Sequence, residues 1–175
     1  MGFSQNDSSG IYFKVNDYVN HKLSLAINCK TQKHKIKDEM VFHPREISIK
    51  HNNTTYKYPK DSIYAIRYCD GSIVRIYDNS EYPLLNPYET ILIYKVTSGS
   101  PGKGGSPTTN YYFSKDAKDQ LEDLTISNIK KAFPDNHKFH DAIDIEFKSD
   151  ADLARYDSFH KIYKVNRLLS NSLSN

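Results

Sequence analysis

The stretch "SIYAIRYCDGSIVRIYD", residues 62–78, decides the fold class of this chain. Two runs rich in Ile, Val and Tyr flank Asp70 and Gly71, and an Asp-Gly pair between such runs is the strongest short-range signal for a β-hairpin. With a two-residue loop, Tyr68 would pair with Ile73 across the two strands. The centre of the chain is therefore predicted to be antiparallel β-structure.

Similar short runs occur on both sides of this hairpin. "KLSLAINC" (22–29) and "EISIKH" (46–51) alternate apolar and polar residues, which is typical of half-buried strands. "ETILIYKV" (89–96) is apolar on both faces and predicts a central strand, and "NYYFS" (110–114) predicts the last strand. About seven or eight short strands joined by local turns indicate an antiparallel β barrel or roll.

From Leu121 onward the apolar residues recur at helical spacing. Thr125 can cap a helix over "ISNIKKAF", which Pro134 would end. Asp135 can cap a second helix, whose apolar face holds Phe139, Ile143 and Phe147.

A third, longer helix is predicted from Ser149 or Asp150 to Leu169. Its apolar positions recur at helical spacing: they are Phe159, Ile162, Val165 and Leu169. The sequence thus predicts an α+β fold, in which the β barrel or roll is followed by two or three C-terminal helices.

The predicted organisation is one domain with short ends. Residues 1–10 are expected to be a disordered N-terminal segment made of a tag remnant and post-signal residues. Residues 11–170 are expected to form a single domain, β-rich over 11–115 and helical over 121–170, and residues 171–175 a frayed tail. "FSQ" near the start resembles the residues left around a removed export signal, so the expected location is exported: periplasmic, cell-surface or secreted.

Charge and hydropathy exclude some classes of function. The 175 residues carry a formal net charge of only +3, whereas a nucleic-acid binder usually shows a clear basic excess, so nucleic acid is not an expected partner. No run of 18 apolar residues occurs, and no transmembrane segment is predicted.

"SGSPGKGGSP", residues 98–107, superficially resembles a phosphate-binding loop. A Walker-type loop needs a Ser or Thr after its Lys and then a helix whose amides meet the phosphates. Here Lys103 is followed by Gly104 and Gly105, and a strand-like segment comes next. The stretch is therefore predicted to be a mobile hairpin connector.

One predicted helix face groups possible metal ligands. His137, His140, Asp141 and Asp144 follow at positions i, i+3, i+4 and i+7, so two imidazoles and two carboxylates share a face. Such groups can bind zinc or another divalent ion. The alternative is a polar face covered by water, opposite Phe139 and Ile143, and no cofactor is predicted.

Basic residues and tyrosines offer two further surfaces. The basic residues could bind an anionic polymer; they are Lys30, Lys33, His34, Lys35 and Lys37, together with His160, Lys164 and Arg167 on the last helix. Eight tyrosines of the β region suit protein or sugar recognition, or fill and rim the β core; they are Tyr56, Tyr58, Tyr64, Tyr68, Tyr77, Tyr82, Tyr88 and Tyr94.

The chain has two cysteines, Cys29 and Cys69. In an exported protein they could pair, and closing a loop of about 40 residues would contribute roughly 4 kcal/mol in the chain-entropy model. Alternatively, both are buried thiols that pack as small apolar groups. The two possibilities stay open from sequence.

Four segments carry a resemblance to known proteins. "YKYPKDSIYAIRYCDGSIVRIYDNSEYPLL", "ETILIYK", "LTISNIKKAFPDNHKFHDAID" and "YDSFHKIYKVNRLL" resemble an uncharacterised family of small exported proteins from Gram-negative bacteria of the Bacteroidetes type. The resemblance covers residues 11–169, with "AFPDNHKFHD" its most recognisable part. It implies export and transfers no site residue.

No nucleophile-elbow or cysteine-protease motif occurs, so an enzyme is the less favoured class. The leading hypothesis is an exported, non-enzymatic binding or structural module with an unknown protein or glycan ligand. The alternatives are a metal-binding protein using the His137 face and a binder of anionic polymer. The sequence does not define the oligomeric state.

Overall fold

The computed structural model describes residues 7–32, 35–37, 45–99 and 106–174, with the backbone alone at 35 and 37. The fold is α+β, and its main sheet has eight antiparallel strands followed by C-terminal helices, as predicted. The strand order is linear, so this sheet is open within the described part of the chain. The predicted barrel or roll described this open sheet only loosely.

The chain divides into two compact units, Met1–Leu84 and Leu85–Asn175. The single domain expected over residues 11–170 stays a prediction, since the compactness of each unit does not determine whether either folds alone.

Unit 1 is mostly β-structure. Its elements are β1 (Ser8–Tyr12), α1 (Val15–Val19), β2 (Ser24–Asn28), β3 (Lys35–Lys37), β4 (Glu46–His51), β5 (Thr54–Pro59), a 3₁₀ helix (Lys60–Ser62), β6 (Ala65–Arg67), β7 (Ile73–Tyr77) and β8 (Ser80–Leu84). Strands β8-β7-β6-β1-β2 are part of the main sheet, and β3-β4-β5 form a separate three-stranded sheet. Since β1 begins at Ser8, the strand starts inside the segment expected to be disordered.

The core of unit 1 is built from isoleucines of both sheets. Ile47 and Ile49 alternate along β4 and are buried, as their spacing predicted. They belong to one apolar cluster with Ile11 and Ile66 of the main sheet. The three-stranded sheet is therefore held to one face of the main sheet by hydrophobic burial.

The central hairpin differs from its predicted register by one residue. Arg67, not Tyr68, is opposite Ile73, because the loop has three residues rather than two. The Gly71 amide donates to the Tyr68 carbonyl at 3.1 Å, and Gly71 has φ +85°, the left-handed conformation that ends a three-residue hairpin loop. A one-residue shift moves each side chain of one strand to the other face of the sheet.

The two cysteines are joined. Cys29 follows β2 and Cys69 lies in the loop between β6 and β7, with their Cα atoms 5.6 Å apart. This disulfide ties β2 to the central hairpin, and the alternative of two buried thiols is wrong.

Unit 2 contains the remaining strands and most of the helical structure. Its elements are β9 (Leu92–Ser98), β10 (Thr108–Ser114), β11 (Glu122–Asp123), α2 (Ile126–Ala132), α3 (His137–Glu146), a 3₁₀ helix (Asp150–Ala154), β12 (Tyr156–Asp157), β13 (Ile162–Tyr163) and α4 (Lys164–Leu173). Strands β11-β10-β9 are part of the main sheet, and β12 pairs with β13. Helix α4 continues into the tail that was expected to fray.

The glycine-rich stretch connects β9 to β10, which pair antiparallel from Ser98↔Thr108 to Leu92↔Ser114. The predicted hairpin is confirmed, and a strand rather than a helix follows the stretch. Its predicted mobility concerns residues 100–105, which lie outside the described residues.

Two of the helix predictions agree with the structure. The Thr125 hydroxyl accepts a hydrogen bond from the Asn128 amide and caps α2. Phe139, Ile143 and Phe147 are buried in the core of unit 2, as their spacing predicted. The cap of α3 is Asn136 rather than Asp135, so the helix begins one residue later than expected.

The predicted long third helix is wrong. A 3₁₀ helix, a hairpin and then α4 occupy residues 150–173. The Asp157 carboxylate accepts hydrogen bonds from the amides of Phe159 and His160, and this local turn competes with helix formation. Phe159 is consequently 88% exposed, although its spacing predicted an apolar helix face.

No helix in the described ranges has both the length and the apolar character needed to cross a membrane.

Phe139 and Phe159 provide a matched test of the hairpin that replaces the predicted third helix. Phe139→Ala should lower the free energy of unfolding by about 3–5 kcal/mol, because it leaves a cavity in the core. Phe159→Ala should change it by less than about 0.5 kcal/mol, because the ring is in water. Urea unfolding of both variants measures the difference, and equal losses would contradict the hairpin.

Candidate functional site

The turn between α2 and α3 has the sequence "AFPDNHKFHD", residues 132–141. Pro134 disfavours helical backbone in the residue before it, so α2 stops. The Asn136 side-chain oxygen then accepts a hydrogen bond from the Phe139 amide at 3.0 Å and starts α3. Phe139 enters the core, where its ring meets the ring of Phe133 edge to face, with 5.4 Å between centroids. Local sequence therefore ends α2 and begins α3 within this turn.

The same asparagine connects α3 to α4. Its side-chain nitrogen donates to the Ser172 hydroxyl at 2.8 Å, and that hydroxyl donates to the Leu169 carbonyl at 2.7 Å. The last turn of α4 therefore forms one wall beside the first turn of α3.

A groove of about 600 Å³ opens between these elements. Its lining combines apolar and basic side chains: Phe133, Pro134, His137, Lys138 and Leu173, with Lys115 from the segment after β10. The size is within the usual range for small-molecule sites. The groove therefore has the dimensions and the mixed chemistry of a ligand site.

The charges of the groove favour an anion. Lys115 and Lys138 contribute two ammonium groups, against one carboxylate from Asp135. The Lys115 ammonium lies over the Phe133 ring, 5.3 Å from its centroid, and Leu173 is 69% exposed. A ligand with a negative group next to an apolar group would meet complementary partners on both parts.

The predicted histidine face is only partly in this groove. His137 lines it, whereas His140 makes contacts behind it: its Nε2 lies 3.1 Å from the Lys130 carbonyl and 2.9 Å from the Phe133 carbonyl. Since both partners accept, Nε2 must carry a proton and cannot bind a metal. His140 therefore adds a second donor to two carbonyls at the end of α2, which already accept from the amides of Phe133 and Asn136.

The two aspartates of that face do not complete a metal site either. Asp144 forms an ion pair with Lys130 at 2.6 Å, and Asp141 is exposed. Across the described ranges, no three His, Cys, Asp or Glu side chains are grouped so that they could share a metal ion. Metal binding stays a prediction, and the contacts of His140 and Asp144 give it no support.

The C-terminal basic residues lie next to carboxylates. Lys164 pairs with Glu146 at 2.5 Å, and Arg167 pairs with Asp157 at 3.0 Å. The His160 Nδ1 is 2.8 Å from the same Asp157 carboxylate. These pairs reduce the positive field that an anionic polymer would meet.

The other basic run is only partly described. Lys30 pairs with Asp7 at 2.7 Å. Lys33 and His34 lie outside the described residues, as do the side chains of Lys35 and Lys37.

Most of the eight tyrosines belong to the β core or its rim. Tyr94 is fully buried, and Tyr58 packs against the apolar cluster of unit 1. The rings of Tyr64 and Tyr77 lie 5.1 and 5.5 Å from the Arg75 guanidinium. Tyr88, in contrast, is well exposed.

Comparison of the chain with protein-family models, curated proteins and solved structures finds no match.

Substitution of the two histidines separates their roles. His140→Ala should cost about 1 kcal/mol of unfolding free energy, because the half-buried hydrogen bond from its ring to the end of α2 is lost while both carbonyls keep a backbone donor. His137→Ala should cost less than about 0.5 kcal/mol, because its ring is exposed. Urea unfolding with and without a chelator measures both effects. A loss on adding chelator to the unmodified protein would instead indicate a structural metal.

Proposed function

We propose that the protein is an exported, non-enzymatic binding module. Its groove would take a ligand in which a carboxylate or phosphate is attached to an apolar group. The observation that carries this proposal is the placement of Lys115 and Lys138 beside Phe133 and Leu173 in one groove. A carboxyl-terminal chain end of a protein, or an acidic glycan, has a suitable negative group.

Binding is favoured over catalysis by the state of the possible nucleophiles. Both cysteines are joined in the disulfide, so neither offers a thiolate. His160 has a carboxylate partner in Asp157, but this pair lies in the β12–β13 hairpin and is not part of the groove lining. In the groove, the Ser172 hydroxyl donates to the Leu169 carbonyl and not to His137, and the rest of the lining offers charge and apolar surface, which serve recognition.

Export is supported by the disulfide. Such bonds persist in oxidising compartments and are rare in the cytosol. The resemblance of residues 11–169 to a family of small exported proteins from Bacteroidetes-type bacteria supports the same location.

The binding proposal is tested with two probes that differ in charge. Phenylacetate should bind the groove, and neutral phenylacetamide should bind at least fivefold more weakly, because it lacks the group that the lysines recognise. A short peptide ending in Phe, with a free or an amidated C-terminus, tests a chain end, and glucuronate tests an acidic sugar. Amide chemical-shift titration gives both the affinity and the residues that respond.

Substitutions of the groove lysines test whether the probes bind in the groove. Replacing Lys115 and Lys138 together by Gln should abolish the preference for phenylacetate, whereas Lys118→Gln, a nearby exposed lysine outside the lining, should preserve it. Equal binding of the charged and neutral probes, or shifts that avoid residues 133–138, would contradict the proposal.

A further inference from the structure

The hairpin β12–β13 presents an aromatic side chain on a well-ordered turn. Tyr156↔Tyr163 and Asp157↔Ile162 are its paired positions, and Phe159 lies between the two strands. The Asp157 carboxylate is close to four donors: the amides of Phe159 and His160, the His160 ring and the Arg167 guanidinium. These contacts therefore stabilise the turn in the absence of a partner.

The same contacts keep Asp157 ionised. The hydrogen bonds from His160, first from its amide and then from its ring, lower the pKa of the Asp157 carboxyl below its usual value. The carboxylate therefore keeps its donors at acidic pH values where an ordinary aspartate begins to bind a proton.

Two aromatic side chains of this hairpin are exposed. Phe159 is 88% exposed and Tyr156 is 50% exposed. The Tyr156 ring packs edge to face on Tyr163, with 5.2 Å between centroids. Scattered apolar residues on a surface need no explanation, but Phe159 is held outward by a hydrogen-bonded turn, with the His160 ring 4.9 Å from its own between centroids.

Positive charge accompanies these aromatics. Residues 155–167 contain four Lys or Arg and one Asp, a formal charge of +3, part of which is neutralised by the ion pairs of Lys164 and Arg167 described above. Two carboxylates from outside the segment face its base: Glu146 contacts Arg155 and Lys164, and Glu89 accepts from the Tyr163 amide. At the tip, Lys161 follows His160 and is exposed. The positive charge is therefore least balanced beside Phe159.

We propose that this hairpin docks the protein on an anionic lipid surface, with the Phe159 ring in the interfacial layer and Lys161 against lipid phosphates. A fluid surface needs no pocket to receive a convex tip, whereas a protein partner would need a complementary cavity. Aromatic residues prefer the membrane–water interface, and basic residues beside it gain from anionic lipid. The inference is independent of the groove and of the ligand proposed for it.

Fluorescence gives a direct test, because the chain has no Trp. Phe159→Trp places the single Trp at the tip, and Ile145→Trp places it at another exposed apolar position, on α3. Vesicles of phosphatidylglycerol and phosphatidylcholine should shift the emission of the first variant to the blue and leave the second unchanged. Equal responses of the two variants, or no response of the first, would overturn the proposal.

Partitioning onto the same vesicles measures the contribution of each group. Phe159→Ala should lower the partition coefficient about tenfold or more, because the buried apolar area is lost. Lys161→Glu should lower it about fivefold or more, whereas Lys118→Glu, a charge reversal outside the hairpin, should lower it less than twofold. Binding that is unchanged by Phe159→Ala and is equally strong to heparin would instead indicate an anionic polymer, and would overturn the lipid assignment.

Discussion

The organisation of unit 2 depends on one buried side chain, Asn166 of helix α4. Its amide oxygen accepts from the Ile91 N–H at 2.8 Å, and its amide nitrogen donates to the Ile91 carbonyl at 2.9 Å. Asn86 donates to the same carbonyl and accepts from the Ile93 N–H. Asn166 is only 2% exposed, and each backbone group left unpaired at such a site would cost about 1–3 kcal/mol. This pairing fixes the position of α4 along the strand that begins beside Ile91.

Both proposed sites of unit 2 use elements that α4 positions. Near its end, Ser172 receives the hydrogen bond from Asn136, and Leu173 lines the groove. In its first half, Arg167 contacts the Asp157 carboxylate that shapes the hairpin. A shift of α4 by one residue would rotate these groups by about 100° around the helix axis. The groove and the aromatic tip would then both change, although they are separate surfaces with different proposed ligands.

Sequence patterns predicted the features that depend on local spacing. The alternation of β4 and the apolar face of α3 were correct, because burial on one side imposes a period of two or about 3.6 residues. Asn166 was missed, since a lone Asn in an amphipathic helix looks like any solvated residue and its partner, Ile91, is 75 residues away. The groove was missed for the same reason, because Lys115 and Leu173 are distant in sequence. The Asp157 turn could be recognised locally, since Asp side chains favour such turns, but the helical spacing of Phe159 led to the prediction of a helix.

The most direct measurement is urea unfolding of Asn166→Ala beside Asn171→Ala, an exposed asparagine of the same helix. Asn166→Ala leaves the buried Ile91 N–H without its acceptor, whereas the Ile91 carbonyl keeps the hydrogen bond from Asn86, so we expect a loss of at least about 1 kcal/mol. Asn171→Ala should change the free energy of unfolding by less than about 0.5 kcal/mol. Comparable small effects for the two variants would contradict the claim that Asn166 holds α4 in place.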